Sequence, residues 1–247
     1  MIKVACNGGT DVGKVRPTNQ DSFHVDPKSS LFIVADGMGG HAGGEIASQL
    51  CIETIAAFLA ENAPKQKPTT HPFTQISFNL MRAVNFASGK IYERALEEPR
   101  FKGMGTTATV VKVVDDYAYF AHVGDSRLYL LRSGFLYQLT FDHSLVNEQL
   151  RAGILSEEEA HSHHLKNVIT RSVGYQEEED VDTNVLKLAT EDILVLCSDG
   201  LHGKVTDQEI AKICGFSKEN AVKELINLAN KRGGDDNITV IILRIQG

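Results

Sequence analysis

Four aspartates stand where apolar runs end. Asp36 closes Leu31-Phe32-Ile33-Val34-Ala35, Asp125 follows the run from Tyr117 to Val123, Asp199 follows Ile193-Leu194-Val195-Leu196-Cys197, and Asp236 opens the run from Ile238 to Ile245. Carboxylates at the mouths of buried strands are costly to desolvate unless paired or coordinated, and the neighbouring Lys and Arg are too few to pair all four. A hard divalent cation offsets that cost. Oxygen ligands without an accompanying Cys or a fixed His pair point to magnesium or manganese, and shared carboxylates admit two ions close together. Such a pair suits hydrolysis of a phosphoryl group, because it lowers the pKa of a bridging water and clamps the phosphate for in-line attack. The glycines in Asp36-Gly37-Met38-Gly39-Gly40 and Ser198-Asp199-Gly200 let backbone carbonyls and waters approach the ions. Asp and Gly are common wherever strands meet turns, so one Asp-Gly carries little weight; four acids in this arrangement carry more.

Two other motifs lead nowhere. Gly8-x-x-x-x-Gly13-Lys14 matches most of a phosphate-binding loop, but Val15 stands where Ser or Thr should hold magnesium, and Pro17 interrupts the helix that should follow. Gly37-x-Gly39-x-x-Ala42 follows a strand and precedes a helix, as a dinucleotide fingerprint does. Asp36 at its entry would repel a pyrophosphate, and the helix leads into a Pro-rich stretch instead of a second strand.

The acids must be positioned by the elements around them. Ile46, Leu50, Ile55, Phe58 and Leu59 recur at helical spacing, as do Ile76, Leu80, Val84, Ala87 and Ile91; the linker Asn62 to Pro72 separates this helix pair. From Thr106 the pattern turns to strands. Thr106 to Val114, Tyr117 to Val123, Leu128 to Arg132 and Phe135 to Leu139 read as an antiparallel meander. Ser156-x-x-Glu159 and Thr206-x-x-Glu209 are capping boxes opening short helices, and Ser217 to Lys231 is an amphipathic helix ended by Gly233-Gly234. About ten strands with hairpins outnumbering βαβ units predict an α+β fold of antiparallel sheets with segregated helices.

The chain of 247 residues is 42% hydrophobic and 23% charged, which excludes disordered and fibrous classes. A net charge of −7 argues against nucleic-acid binding and for a basic substrate or a bound cation. No apolar run approaches the ~18 residues of a membrane span, and the start of the chain lacks a signal peptide's apolar segment, so a cytoplasmic protein is expected. Cys6, Cys51, Cys197 and Cys214 are scattered without a C-x-x-C and read as buried thiols.

Gly13-x-x-Arg16-x-x-Asn19-Gln20-Asp21, Val34-Ala35-Asp36-Gly37-Met38-Gly39-Gly40-His41, Gly105-Thr106-Thr107, Gly124-Asp125-Ser126-Arg127, Asp142-His143-Ser144, Asn167-Val168-Ile169-Thr170-Arg171, Ser198-Asp199-Gly200 and Asp236-Asn237-Ile238-Thr239 follow one another in this order. With these motifs, nearly end to end, the chain resembles the metal-dependent Ser/Thr protein phosphatases of type 2C in their compact bacterial form. The resemblance implies a β-sandwich of two antiparallel sheets flanked by helices, four layers in all, with two core Mn or Mg ions in a cleft at one end. It makes Asp36 the bridging ligand, completed by the Gly37 carbonyl, Asp199 and Asp236. Asp21 would be a ligand or the acceptor for a metal-bound water, and Asp125 with Asp199 would hold a weaker third ion. Arg16 would grip the substrate phosphate, touching no metal ligand. Direct attack by a metal-activated water is implied, without a phosphoenzyme.

Two departures from the family pattern stand out. Gln20 replaces a frequent Glu before the matched aspartate, and Met38 stands where animal members often carry a His, leaving His41 as the nearest leaving-group acid. His161, His163 and His164 read as solvated, and Glu177-Glu178-Glu179-Asp180 as a solvated acidic loop. Residues 142–171 read as a flap within a single catalytic domain. The expected enzyme is a monomeric protein serine/threonine phosphatase acting on phosphorylated substrates of a Ser/Thr kinase, without nucleic-acid or membrane partners. A catalytically silent module that binds phosphoproteins or kinases is the alternative, weakened by the retention of Asp36, Asp125, Asp199 and Asp236.

Overall fold

The computed structural model describes residues 2–62, 72–156, 159–160, 163–165 and 168–247, with the side chains of 40–42 and 72–73 left aside. The chain runs through β1 (Lys3–Asp11), β2 (Asp21–Asp26), β3 (Leu31–Met38), α1 (Gly40–Glu61), α2 (Pro72–Glu97), β4 (Gly105–Thr106), β5 (Ala108–Val114), β6 (Tyr117–Val123), β7 (Arg127–Arg132) and β8 (Phe135–Gln138). It continues through α3 (Leu145–Arg151), β9 (Asp182–Lys187), β10 (Ile193–Cys197), α4 (Asp199–His202), α5 (Asp207–Phe216), α6 (Ala221–Lys231) and β11 (Ile238–Gln246). One antiparallel sheet has the order β1-β11-β10-β7-β8, the other β2-β3-β5-β6-β9 with β4 beside β3.

Successive side chains of a strand point to opposite faces, and here both faces are covered. In β3, Phe32 and Val34 meet Leu128, Leu194, Leu196 and Ile241 of the opposite sheet, whereas Leu31, Ile33 and Ala35 meet Cys51, Ile55, Leu80, Val84 and Ile91 of α1 and α2. On the far side, Tyr129, Val195, Val240 and Ile242 pack against Leu201, Ile210 and Leu225 of α4, α5 and α6. This is the expected four-layer sandwich, and double-sided burial is why its strands read as unbroken apolar runs.

The meander is corrected. Its four strands form two hairpins in different sheets: β5 pairs with β6 in one, β7 with β8 in the other, and Gly124-Asp125-Ser126 carries the chain across. The amphipathic helix begins at Ala221 rather than Ser217, which instead caps α5. The capping boxes at Ser156 and Thr206 form, with Ser156 N donating to Glu159 Oε2 at 2.8 Å and Thr206 N to Glu209 Oε2 at 3.1 Å. Gly8 and Gly9 lie inside β1, so no phosphate loop exists there. The 63–71 part of the linker falls outside the described residues. Glu179 is buried, not solvated: its N–H donates to Asn85 Oδ1 on α2 at 2.7 Å.

Candidate active site

Each strand-end aspartate reaches one cleft of about 650 Å³. Antiparallel register sets Asp21 of β2 directly opposite Asp36 of β3. Asp199 opens α4 immediately after β10, Asp236 precedes β11, and Asp125 occupies the passage from β6 to β7. The cleft thus draws carboxylates from both sheets. Arg16, Gly37, Met38, Thr107 and Ile169 also line it.

The backbone at Asp36 is fixed by neighbouring threonines. Asp36 N donates to Thr107 Oγ1 at 2.9 Å, while Thr107 N and Thr106 Oγ1 both donate to Asp36 O, at 2.8 and 2.9 Å. Asp21 Oδ2 accepts from Ser198 Oγ at 2.7 Å and Thr239 Oγ1 at 2.6 Å, which binds β2 to the other sheet. Asn237 fixes the Val12–Gln20 loop: its Oδ1 accepts from Gln20 N, and its Nδ2 donates to Val12 O and Thr18 O. At Gly200 a Cβ would run into Asn237 O, so only glycine lets α4 pack this closely on the Asp236 segment.

Charge is unbalanced in this cleft. Burial, then the neighbouring acids Asp21, Asp199, Asp125 and Asp236, pushes Asp36 well above the usual carboxylate range. Burial with Asp125 and Asp236 raises Asp199 to about 8, and burial raises Asp21 and Asp125 to about 6. Asp36 lies within hydrogen-bonding reach of both Asp21 and Asp199, yet Asp21 Oδ1 and Asp199 Oδ1 are buried acceptors without a donor. Acceptors facing acceptors at low dielectric need protons or cations between them, and the raised pKa values show the cost of leaving them charged without a cation. A set of oxygens alone matches magnesium or manganese, so the residues present fit the expected ions. Among the described residues no three acids close into a ready-made cage; they stand around the cleft wall, leaving room for the waters such ions retain.

Arg16 departs from one expectation. It lines the cleft as predicted, but its Nη2 forms a 2.6 Å ion pair with Asp236 Oδ2, so it does touch an expected ligand. The side chain of His41 lies outside the described residues, as does His161; His163 and His164 stack with ring centroids 4.7 Å apart. Gln20, at the cleft wall, carries structural weight through its backbone, since its carbonyl accepts from Gly37 N at 3.1 Å and Ser48 Oγ at 2.6 Å.

Sequence reasoning passed over the polar residues around the Gly124-Asp125 passage. Arg127 forms a largely buried bidentate pair with Asp142, Nη2 to Oδ2 at 2.7 Å and Nε to Oδ1 at 2.9 Å. His143 bonds Gly124, and His202 bonds the Asp125 carbonyl. Burial drives the pKa of His202 down to about 4, with Arg127 adding to the effect. The Asp142-His143-Ser144 motif was a signal for part of this arrangement; His202 had none.

The profile of the family described as protein phosphatase 2C matches residues 9–240. The chain is 40% identical over 239 residues to a putative protein phosphatase 2C-type of Streptococcus pyogenes serotype M6, covering 95% of this chain and 94% of that one. It is 37% identical to the serine/threonine phosphatase stp of Listeria innocua, covering 95% and 93%. Among solved structures, the Mycobacterium tuberculosis serine/threonine phosphatase PstP/Ppp superposes with a TM-score of 0.90 at 33% identity over 100% of both chains. The catalytic domain of PstP in complex with two manganese ions gives 0.86 at 32% identity, again over 100% of both.

Proposed function

Because the chain belongs to the protein phosphatase 2C family, we propose a division of labour within its cleft: Asp36 as the carboxylate shared by two ions, the Gly37 carbonyl, Asp199 and Asp236 as their further ligands, and Asp21 beside them. The enzyme is a Mg/Mn-dependent protein serine/threonine phosphatase acting on phosphorylated proteins. Asp125 with Asp199 takes a third, weaker ion, and Arg16 takes the substrate phosphate.

When bound, the two ions supply a Lewis-acidic clamp for the phosphoryl group and a nucleophile from water at neutral pH. The protein's own groups do the rest. Arg16 presents a planar fork to the phosphate oxygens, a geometry that a lysine lacks. Ser198 and Thr239 hold Asp21 Oδ2, leaving Oδ1 buried without a donor, with Asp36 beside the carboxylate. Thr106 and Thr107 immobilise Asp36, so that its carboxylate is in place before substrate arrives.

The observation that carries this reading is the orphaned pair Asp21 Oδ1 and Asp199 Oδ1, both buried and both beside Asp36. A silent binding module would have no use for buried carboxylates that stay unpaired unless they are protonated or bound to cations. The reading extends to residues 142–171 as a substrate-facing flap of a single catalytic domain, supported by Ile169 at the cleft wall. It also extends to a cytoplasmic monomer that reverses a Ser/Thr kinase; among the described residues no helix is long and apolar enough to cross a membrane. The net charge of −7 opposes nucleic-acid and anionic lipid surfaces.

The test is release of phosphate from a phosphothreonine peptide with manganese, with excess chelator, and with Asp36→Asn. Activity only in the first condition is expected. Undiminished turnover by Asp36→Asn would overturn the assignment.

A further inference from the structure

Asp125 lies outside regular structure, in the passage where the chain leaves one sheet for the other between Val123 and Arg127. The backbone there is left-handed at Gly124 (φ 108), and a Cβ at that position would press on Thr107. A buried passage of this kind holds its shape only if its polar backbone groups are bonded from outside. Two histidines do this. His143 N donates to Gly124 O at 2.8 Å, and His143 Nδ1 accepts from Gly124 N at 3.1 Å. His202 Nε2 lies 3.0 Å from Asp125 O; a carbonyl only accepts, so Nε2 carries the proton and donates.

The place of His202 in the fold gives this bond its meaning. It is the last residue of α4, whose first residue is Asp199. One turn of helix therefore presents the Asp199 carboxylate and grips the backbone of Asp125. The element that carries Asp199 is thus bonded directly to the backbone of Asp125.

We propose that His202 is a positioning residue that fixes Asp125 relative to Asp199 and thereby sets the affinity of the ion those two carboxylates share. The inference rests on the assignment of that ion to Asp125 and Asp199 made above. His202 acts through the Asp125 carbonyl and touches neither ion nor substrate. Partners that orient a ligand without binding the metal typically change metal affinity by roughly 10–100-fold when removed.

The experiment is calorimetric titration of manganese into chelator-stripped wild type, His202→Ala, His202→Gln, His202→Asn and Asp125→Asn, with thermal melts of each stripped protein. The glutamine amide nitrogen reaches about as far as Nε2, whereas asparagine stops one methylene short. Expected is a weakest manganese event about tenfold weaker in His202→Ala and His202→Asn, near wild type in His202→Gln, with the tighter events unchanged throughout and the event absent in Asp125→Asn. A wild-type profile for His202→Ala beside loss of the event in Asp125→Asn would overturn the positioning role and leave the ion's assignment intact. A wild-type profile for Asp125→Asn as well would overturn both. Should His202→Ala melt far below wild type, the Gln and Asn pair decides: equal affinities in the two would overturn the role.

Discussion

Arg16 Nη2 lies 2.6 Å from Asp236 Oδ2, so the guanidinium expected to grip phosphate is held by a carboxylate expected to hold metal. The pair raises the Arg16 pKa, and both side chains remain partly open to solvent. On the proposed roles, an ion and a phosphate compete with this contact, Asp236 being drawn to the cation and Arg16 to the anion.

Arg16→Ala should accordingly raise KM for a phosphopeptide by about 10–100-fold, the equivalent of a charge-assisted hydrogen bond of ~1.5–3 kcal/mol. It should also tighten manganese binding by up to about fivefold, since an exposed ion pair is worth at most ~1 kcal/mol. Arg16→Lys should fall between on both scales. Steady-state kinetics at saturating manganese, with a separate manganese titration, check both effects; weaker manganese binding by Arg16→Ala would contradict the competition.

Proton linkage gives a second prediction. Asp199 is raised to about 8 and Asp21 and Asp125 to about 6, above their unfolded values near 4, so the metal-free folded state binds more protons than the unfolded state across that window. The buried His202 and His122, both pushed down to about 4, oppose this below pH 6.5, so stability of the stripped protein is expected to fall as pH rises from about 6.5 to 8, where Asp199 still holds its extra proton. A melting temperature higher at pH 6.5 than at pH 8 by about 3–6 °C is expected. Asp199→Asn should flatten that slope, and saturating manganese should reverse it, because protons then compete with the ions. A flat profile for stripped wild type between pH 6.5 and 8 would refute the raised Asp199 carboxyl.

Gly200→Ala forces a methyl group into Asn237 O, a backbone atom that cannot swing aside. Overpacking of this kind costs about 1–3 kcal/mol, or ~2–10 °C in melting temperature. Because the displaced segment carries Asp236, manganese affinity should drop together with stability. A melt and a manganese titration of the variant that both match wild type would show that α4 has slack.

Asn237→Ala would leave Gln20 N, Val12 O and Thr18 O without their partner. Each abandoned group costs about 1–3 kcal/mol unless water reaches it. The loop bearing Arg16 is released, so KM should rise more than kcat falls, alongside a lower melting temperature. An unchanged KM would mean the loop is held by other contacts.

The carboxylates were legible in the sequence because each closes an apolar run, and the runs are unbroken because Phe32 and Val34 face one layer while Ile33 and Ala35 face another. Strand partners were not legible. The apolar runs identify β6 and β7 but say nothing of the sheet each joins, and Gly124-Asp125-Ser126 reads like a hairpin turn although it changes sheet. Contacts between distant residues left no trace either: Arg16 meets Asp236 across 220 positions and His202 meets Asp125 across 77. An imidazole at the end of a one-turn helix gives no periodicity to read.

The place of β11 governs when this centre comes into being. It is the last strand in sequence, yet it lies between β1 and β10, pairing Lys3 with Gln246. Until it docks, Asp21 lacks the Thr239 hydroxyl, Arg16 lacks Asp236, and β1 has no neighbour in its sheet. Pairing over such sequence distance is slow, because loop-closure entropy is lost before any contact compensates for it. The cluster of carboxylates is therefore expected to close late on the folding route. Manganese should then slow unfolding and leave the refolding rate unchanged, a latch closed after assembly.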